Sequence, residues 1–176
     1  HLLSRRQRQM CIRDRPGCAA IGYVYDKADR VILSQNGNQS QKKEWTFTFY
    51  DNQGRLALTG LCSFNDPPSL DNSIVRAYRT TSEKDGVLHS GYEVEHFPYT
   101  LSSLLQVNYY DDYNFTTDTQ LAFGLEKIGK VQYDSLYINR EASLISAQGR
   151  LTGTKIKVLD DERYLTSALY YDYKGR

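Results

Sequence analysis

Methionine and tryptophan are almost missing from this 176-residue chain, at one each, and proline and cysteine are held to 4 and 3. Long apolar runs are missing too. None approaches the roughly 18 residues that a membrane-spanning helix needs, so no such helix is expected. With 12 glycines and 4 prolines the chain is not collagen-like. An apolar fraction of 40% against 24% charged residues is too rich in apolar surface for a generic disordered segment. Tyrosine is what abounds, 15 of the 176 residues, in company with many threonines. Aromatic and β-branched side chains suit the half-buried, pleated surface of a strand, so the composition points to a β protein. The length allows one domain, or a slice of something larger.

The formal net charge of +1 conceals an uneven distribution. Residues 1–15 hold five arginines (Arg5, Arg6, Arg8, Arg13, Arg15) against one acid, Asp14, which leaves 17 basic and 20 acidic side chains beyond them. A basic arm on a neutral body ordinarily suggests nucleic acid or an acidic membrane surface. Here the arm has another reading. Gln9-Met10-Cys11-Ile12-Arg13-Asp14-Arg15 is what CAG ATG TGT ATA AGA GAC AG encodes, and that string resembles the mosaic end of a transposase-based sequencing adapter read through in frame. Residues 1–15 are therefore expected to be a disordered adapter artefact and are set aside from fold reasoning. Cys11 and any nucleic-acid inference go with them.

Residues 16–60 read as two consecutive hairpins. Ile21 to Asp26 alternates into the turn Lys27-Ala28-Asp29, and Arg30 to Ser34 returns. A polar loop is expected at Gln35-Asn36-Gly37-Asn38-Gln39-Ser40, where Asn-Gly is a turn signal. Trp45, Phe47 and Phe49 then share one strand face, with Thr46, Thr48 and Tyr50 on the other. After Asp51-Asn52-Gln53-Gly54 the chain returns from Arg55 to Gly60. Residues 61–105 read as an irregular β insertion: Asn65-Asp66-Pro67-Pro68 is a loop, because neither proline can donate to a ladder. Strands are expected at Ser73 to Thr80 and Val87 to Phe97. In 106–176, strands at Leu104 to Tyr110, Thr152 to Leu159 and Tyr164 to Tyr171 flank a stretch with a short helix near 119–130 or an irregular excursion. The fold class expected is all-β, built of antiparallel hairpins.

Tyr-Asp recurs at strand ends, as Tyr25-Asp26, Tyr50-Asp51, Tyr110-Asp111 and Tyr171-Asp172. Two copies continue as Tyr50-Asp51-x-x-Gly54-Arg55 and Tyr171-Asp172-x-x-Gly175-Arg176; a third, Tyr25-Asp26-x-x-Asp29-Arg30, has Asp29 in the glycine's place. The first two copies stand 25 residues apart, a spacing typical of repeat arrays. The spacing has a physical logic. Aspartate after a strand can accept hydrogen bonds from amides two residues on, closing the turn. Glycine supplies a positive φ. Arginine then opens the next strand, placed to stack on a tyrosine ring or pair with the aspartate.

On these residues the chain resembles the YD-repeat, or Rhs-type, family, whose motif is Tyr-Asp-x-x-Gly-Arg followed by an apolar strand start, as in Arg55-Leu56. Several segments are similar to the large Rhs-like surface proteins of Bacteroides-type bacteria: Tyr23 to Arg30, Glu44 to Phe47, Gly54 to Leu56, Val107 to Tyr113, Leu151 to Thr154 and Ala168 to Asp172. The resemblance covers nearly everything from Pro16 to Arg176. It implies a long β-sheet that spirals into a hollow shell, enclosing a C-terminal toxin in some relatives and serving adhesion in others. It also implies a secreted or cell-surface setting, with neighbouring repeats, an enclosed toxin or a surface glycan as partners. The stretches 61–105 and 114–148 depart from the regular repeat, and the chain is expected to be a fragment ending in a truncated repeat.

Catalysis finds no support. No Gly-x-Ser-x-Gly occurs, and Gly149-Arg150-Leu151-Thr152-Gly153 lacks the Lys-Ser/Thr of a phosphate loop. His89, Glu93, Glu95 and His96 lie close in sequence, but a solvated strand face explains them, and Asp111-Asp112 and Asp160-Asp161-Glu162 read as turn chemistry. Cys18 and Cys62 read as separate buried thiols, a disulfide being the alternative. No catalytic residue, metal or cofactor is expected; the residues singled out are those of the turns: Tyr25, Asp26, Arg30, Tyr50, Asp51, Gly54, Arg55, Tyr171, Asp172 and Gly175. The resulting expectation is a non-catalytic structural segment of a large surface protein. A carbohydrate-binding β module using exposed tyrosines is the alternative.

Overall fold

The computed structural model describes residues 20–66, 70, 72–80, 90–97, 101–115, 147–159, 161–171 and 175. The adapter-like residues 1–15 and the helix or excursion expected near 119–130 lie outside them. The described chain is predominantly β, with antiparallel strand pairs and one short helix. It divides into two compact units between Leu105 and Gln106.

In the first unit, β1 (Gly22–Tyr25), β2 (Val31–Gln35), β3 (Glu44–Tyr50) and β4 (Leu56–Ser63) form an antiparallel meander in sequence order. The start of β7 (Leu101–Tyr110) lies beside β4. A separate hairpin joins β5 (Arg76–Arg79) to β6 (Tyr92–Glu95). The alternation of β3 is fully expressed: Trp45, Phe47 and Phe49 are buried while Glu44, Thr46, Thr48 and Tyr50 are half-buried. Phe47 stacks on Phe49 at 4.6 Å between ring centroids, and Phe97 meets Phe49 edge-on at 4.7 Å. With Ile32, Leu33, Leu58, Val75 and Leu104, these rings make the core of this unit.

The polar loop expected at 35–40 is instead the start of a helix, α1 (Gly37–Lys42). Asn36 does not form a hairpin turn. Its side chain accepts from the Gln39 amide at 2.9 Å, and Gln39 Oε1 accepts from the Asn36 amide at 3.0 Å. This reciprocal capping box satisfies two amides that the first helical turn would leave unpaired, and it outweighs the turn preference of Asn-Gly. Lys43, left-handed at φ 56°, ends the helix, and Gln39 Nε2 ties it to Thr46 Oγ1 of β3 at 2.8 Å.

In the second unit, the end of β7 pairs with β8 (Leu151–Lys157), which pairs with β9 (Tyr164–Ala168). Val107, Asn108, Tyr109, Phe115, Ala147, Thr152 and Gly153 are its buried residues among those described, with Tyr109 and Phe115 stacked at 4.3 Å and 4° apart in plane.

A strand glycine in each unit is held open by an aromatic ring. A Cβ on Gly60 would stand 2.5 Å from Phe47 Cζ and would also run into the Ser103 carbonyl; on Gly153 it would stand 2.5 Å from Phe115 Cε2. Ring and backbone fill that space, and a densely packed interior cannot give way cheaply. Gly60→Ala is expected to destabilise the chain by about 1–3 kcal/mol in urea melts. An unchanged midpoint would show that Phe47 does not lie across the strand.

Candidate functional site

The residues that recur with shared geometry are those of the turns. In the first, the Asp26 amide donates to the Arg30 carbonyl at 3.0 Å, and Asp26 Oδ1 accepts from the amides of Ala28 at 2.9 Å and Arg30 at 3.1 Å. In the second, the Asp51 amide donates to the Arg55 carbonyl at 2.9 Å, and Asp51 Oδ1 accepts from Gln53 and Arg55, both at 2.8 Å. One carboxylate oxygen thus closes the backbone. The other holds the arginine: Arg30 Nη2 lies 2.6 Å and Nε 3.2 Å from Asp26 Oδ2, and Arg55 Nε lies 2.7 Å from Asp51 Oδ2.

Both carboxylates are removed from water, the Asp26 side chain completely, while each arginine side chain keeps one-fifth of its surface exposed. A buried carboxylate is tolerated only when its lone pairs are satisfied, and here each oxygen has partners. The first turn is further covered by residues 73–75. Ser73 takes the Lys27 amide at 3.1 Å, and the Val75 carbonyl takes Arg30 Nη2 at 2.7 Å.

The residue before each arginine is left-handed: Asp29 at φ 57° and Gly54 at φ 79°. Gly175, at φ 72°, occupies the same place relative to Tyr171, while Asp172 lies outside the described residues.

A third turn of this kind was not visible as one in the sequence. Tyr110-Asp111 is completed by Gly149-Arg150-Leu151, across 37 intervening residues (112–148). The Asp111 amide donates to the Arg150 carbonyl at 3.2 Å, Asp111 Oδ1 accepts from the Gly149 amide at 2.6 Å, and Gly149 has φ 77°. The signal was present in the repeated words Gly-Arg-Leu and Leu-Thr-Gly, found at 54–60 and again at 149–153.

All three turns share a bulge. Pairing runs Val24↔Leu33 then Tyr25↔Val31, Phe49↔Leu58 then Tyr50↔Leu56, and Tyr109↔Gly153 then Tyr110↔Leu151. The extra residues, Ile32, Ala57 and Thr152, are each fully buried. The insertion reverses the strand's alternation, so two successive residues bury after each turn, and it bends and twists the strand.

Arg30 serves a carboxylate and a ring at once. Arg30, while paired to Asp26, sits 5.1 Å over the ring of Tyr50, the tyrosine of the following turn. In the second unit, Arg150 sits 5.3 Å over Tyr171 and donates to the Gly175 carbonyl. Tyr171 in turn donates its hydroxyl to the Leu151 carbonyl at 2.6 Å. Tyr113 stacks on Tyr170 at 4.7 Å and donates to the Leu169 carbonyl at 2.8 Å. Burial, with Tyr171 and Tyr170 adding to it, pushes the Tyr113 phenol up to about 12, which keeps it a donor. Burial also raises Tyr50, with Arg30 opposing and Asp26 reinforcing the shift.

The other candidates do not converge. Glu93 and Glu95 lie exposed on β6 opposite Tyr78 and Arg76, His96 follows at φ 60°, and His89 is outside the described residues. Among the described residues no group of three His, Cys, Asp or Glu side chains is placed to hold a metal. Asp112 accepts from the Asn114 amide, and Asp161 pairs with Arg163 at 2.5 Å on the surface; Asp160 is outside the described residues. Cys62 is a buried free thiol, pushed up to about 12 by burial and then by Glu44; Cys18 is not among the described residues.

Asp26→Ala, which strands a partly buried guanidinium and two turn amides, is expected to cost on the order of 3 kcal/mol in chemical denaturation. Asp161→Ala, at a surface pair, should leave the melting temperature nearly unchanged. Equal effects at the two sites would remove the distinction. No family model, curated protein or solved structure matches this chain.

Proposed function

We propose that the chain is a non-catalytic structural segment of a large secreted or cell-surface protein of the YD-repeat type, forming part of a β shell or stalk that encloses a toxin or mediates adhesion. The observation that carries this reading is the threefold recurrence of one turn: aspartate accepting from a turn amide, left-handed residue, arginine, bulge. An enzyme positions unlike groups around one point, whereas recurrence of one stabilising unit along a sheet is what a scaffold needs. Recurrence survives even where 37 residues interrupt the third turn, so the unit tolerates a long insertion at its tip.

Two further observations favour a scaffold. Ile156 and Leu165 pair across β8 and β9, yet are 48% and 66% exposed, an apolar face suited to cover by another part of a larger assembly. Four tyrosines whose rings a carbohydrate-binding module could offer to sugars each have a face engaged instead: Tyr50 and Tyr171 by guanidinium groups, Tyr113 and Tyr170 by each other. The carbohydrate alternative is correspondingly the weaker reading.

Sequencing the native gene across both ends of this chain tests the proposal. Further Tyr-Asp-x-x-Gly-Arg units in the same reading frame, with residues 1–15 replaced by such sequence, are the expected result. A reading frame without further units, and with the basic arm encoded in the genome, would overturn it.

A further inference from the structure

The two halves of the third turn meet in space although they stand far apart in sequence. Tyr110 ends β7 with Asp111 behind it, and Ala147, Gln148, Gly149 and Arg150 lead into β8. Read across the gap, these residues spell Tyr110-Asp111-Ala147-Gln148-Gly149-Arg150, which agrees with Tyr50-Asp51-Asn52-Gln53-Gly54-Arg55 at five of six positions. The agreement extends to Gln148, a position that the turn's hydrogen bonds leave open to any side chain. Its spacing is that of an uninterrupted turn once residues 112–146 are passed over. The backbone agrees as well. The aspartate amide donates to the arginine carbonyl at 2.9 Å in the second turn and 3.2 Å in the third, and the same one-residue bulge follows in both.

Where the two turns differ, the difference lies at the break. Asp111 is left-handed at φ 72°, unlike Asp26 and Asp51. That conformation is unfavourable for a residue with a Cβ, although aspartate tolerates it. Here it leads the chain out of the turn, with the Asp112 amide donating to the Tyr110 carbonyl at 2.9 Å. Asp111 Oδ1 accepts from the Gly149 amide, whereas the counterpart Gly54 amide donates to the Asp51 carbonyl.

We infer that residues 112–146 are a guest segment inserted into a complete Tyr-Asp-x-x-Gly-Arg turn, between the aspartate and the first x residue, and that β7 and β8 can close without it. Closure entropy grows slowly with loop length, so strands paired on both sides of the tip can carry a long segment. The root of the guest is fitted to its host: Tyr113 stacks on Tyr170, and Phe115 lies on Tyr109 beside Gly153. Whatever the guest contributes is thereby separable from the sheet that presents it.

The test compares three deletions made in the full chain. Removing 112–146 restores the six-residue motif, removing 112–147 leaves it one residue short, and removing 112–145 retains Ser146 and leaves it one residue long. All three lose Tyr113 and Phe115 alike, so only the join differs. The folding equilibrium constant from urea melts is expected to be higher for the first deletion by roughly tenfold or more, the worth of one or two turn hydrogen bonds. Equal stabilities, or a more stable off-length join, overturn the inference. If none of the three folds, the reciprocal chain decides, with a copy of residues 112–146 placed between Asp51 and Asn52. Amides of Phe47 and Leu58 that stay protected from hydrogen exchange are expected there, and loss of that protection overturns the inference. The scaffold reading stands or falls separately, on the flanking gene sequence.

Discussion

A buried carboxylate that must satisfy both of its oxygens organises this chain. Asp26 and Asp51 each spend one oxygen on turn amides and the other on an arginine, so the backbone turn and the strand head are fixed by a single side chain. Stranding either partner out of water would be costly, which makes the closed turn the only comfortable arrangement of these residues. With Arg30 so held, its outer face is positioned for Tyr50, and two successive hairpins become linked at one end of the meander. The other end of that meander is held by unrelated means, the capping box of α1 and its bond to Thr46.

The turn also dictates what happens inside the sheet. Closing through Asp26 or Asp51 leaves the returning strand one residue too long for simple pairing, and the surplus is absorbed at Ile32 and Ala57. Because that residue turns inward, two neighbours in sequence enter the core together: Ile32 with Leu33, and Ala57 with Leu58. The same happens at Thr152 and Gly153 in the second unit, where the space beyond Gly153 is taken by Phe115. Turn chemistry, bulge and core composition are thus one linked feature. The bulge adds twist, the property by which a long sheet departs from flatness.

Most of the strands could be read from period-two alternation, because side chains such as Trp45, Phe47 and Phe49 bury on one face without interruption. The turn residues were legible for a similar reason: aspartate, a left-handed position and arginine each carry a local requirement. Three things were not. The bulges break alternation only by placing one extra residue, which a period-two pattern cannot distinguish from a buried run. The helix α1 depends on a reciprocal pair, Asn36 with Gln39, that competes with the stronger turn signal of Asn36-Gly37. The third turn joins residues far apart in sequence, and Gly149-Arg150 takes on meaning only when β7 and β8 pair. The partners of Arg30 were half legible: its carboxylate, Asp26, is local, but its ring, Tyr50, belongs to the next turn.

A double-mutant cycle between Arg30 and Tyr50 measures the link between successive turns most directly. Arg30→Gln also disturbs the pair with Asp26, and Tyr50→Leu removes packing, but those costs cancel in the coupling term. Unfolding free energies of the natural chain, the two single variants and the double variant are expected to give a favourable coupling of about 0.5–2 kcal/mol. Additive losses would mean that the ring and the guanidinium merely lie near each other, and that the turns stand independently.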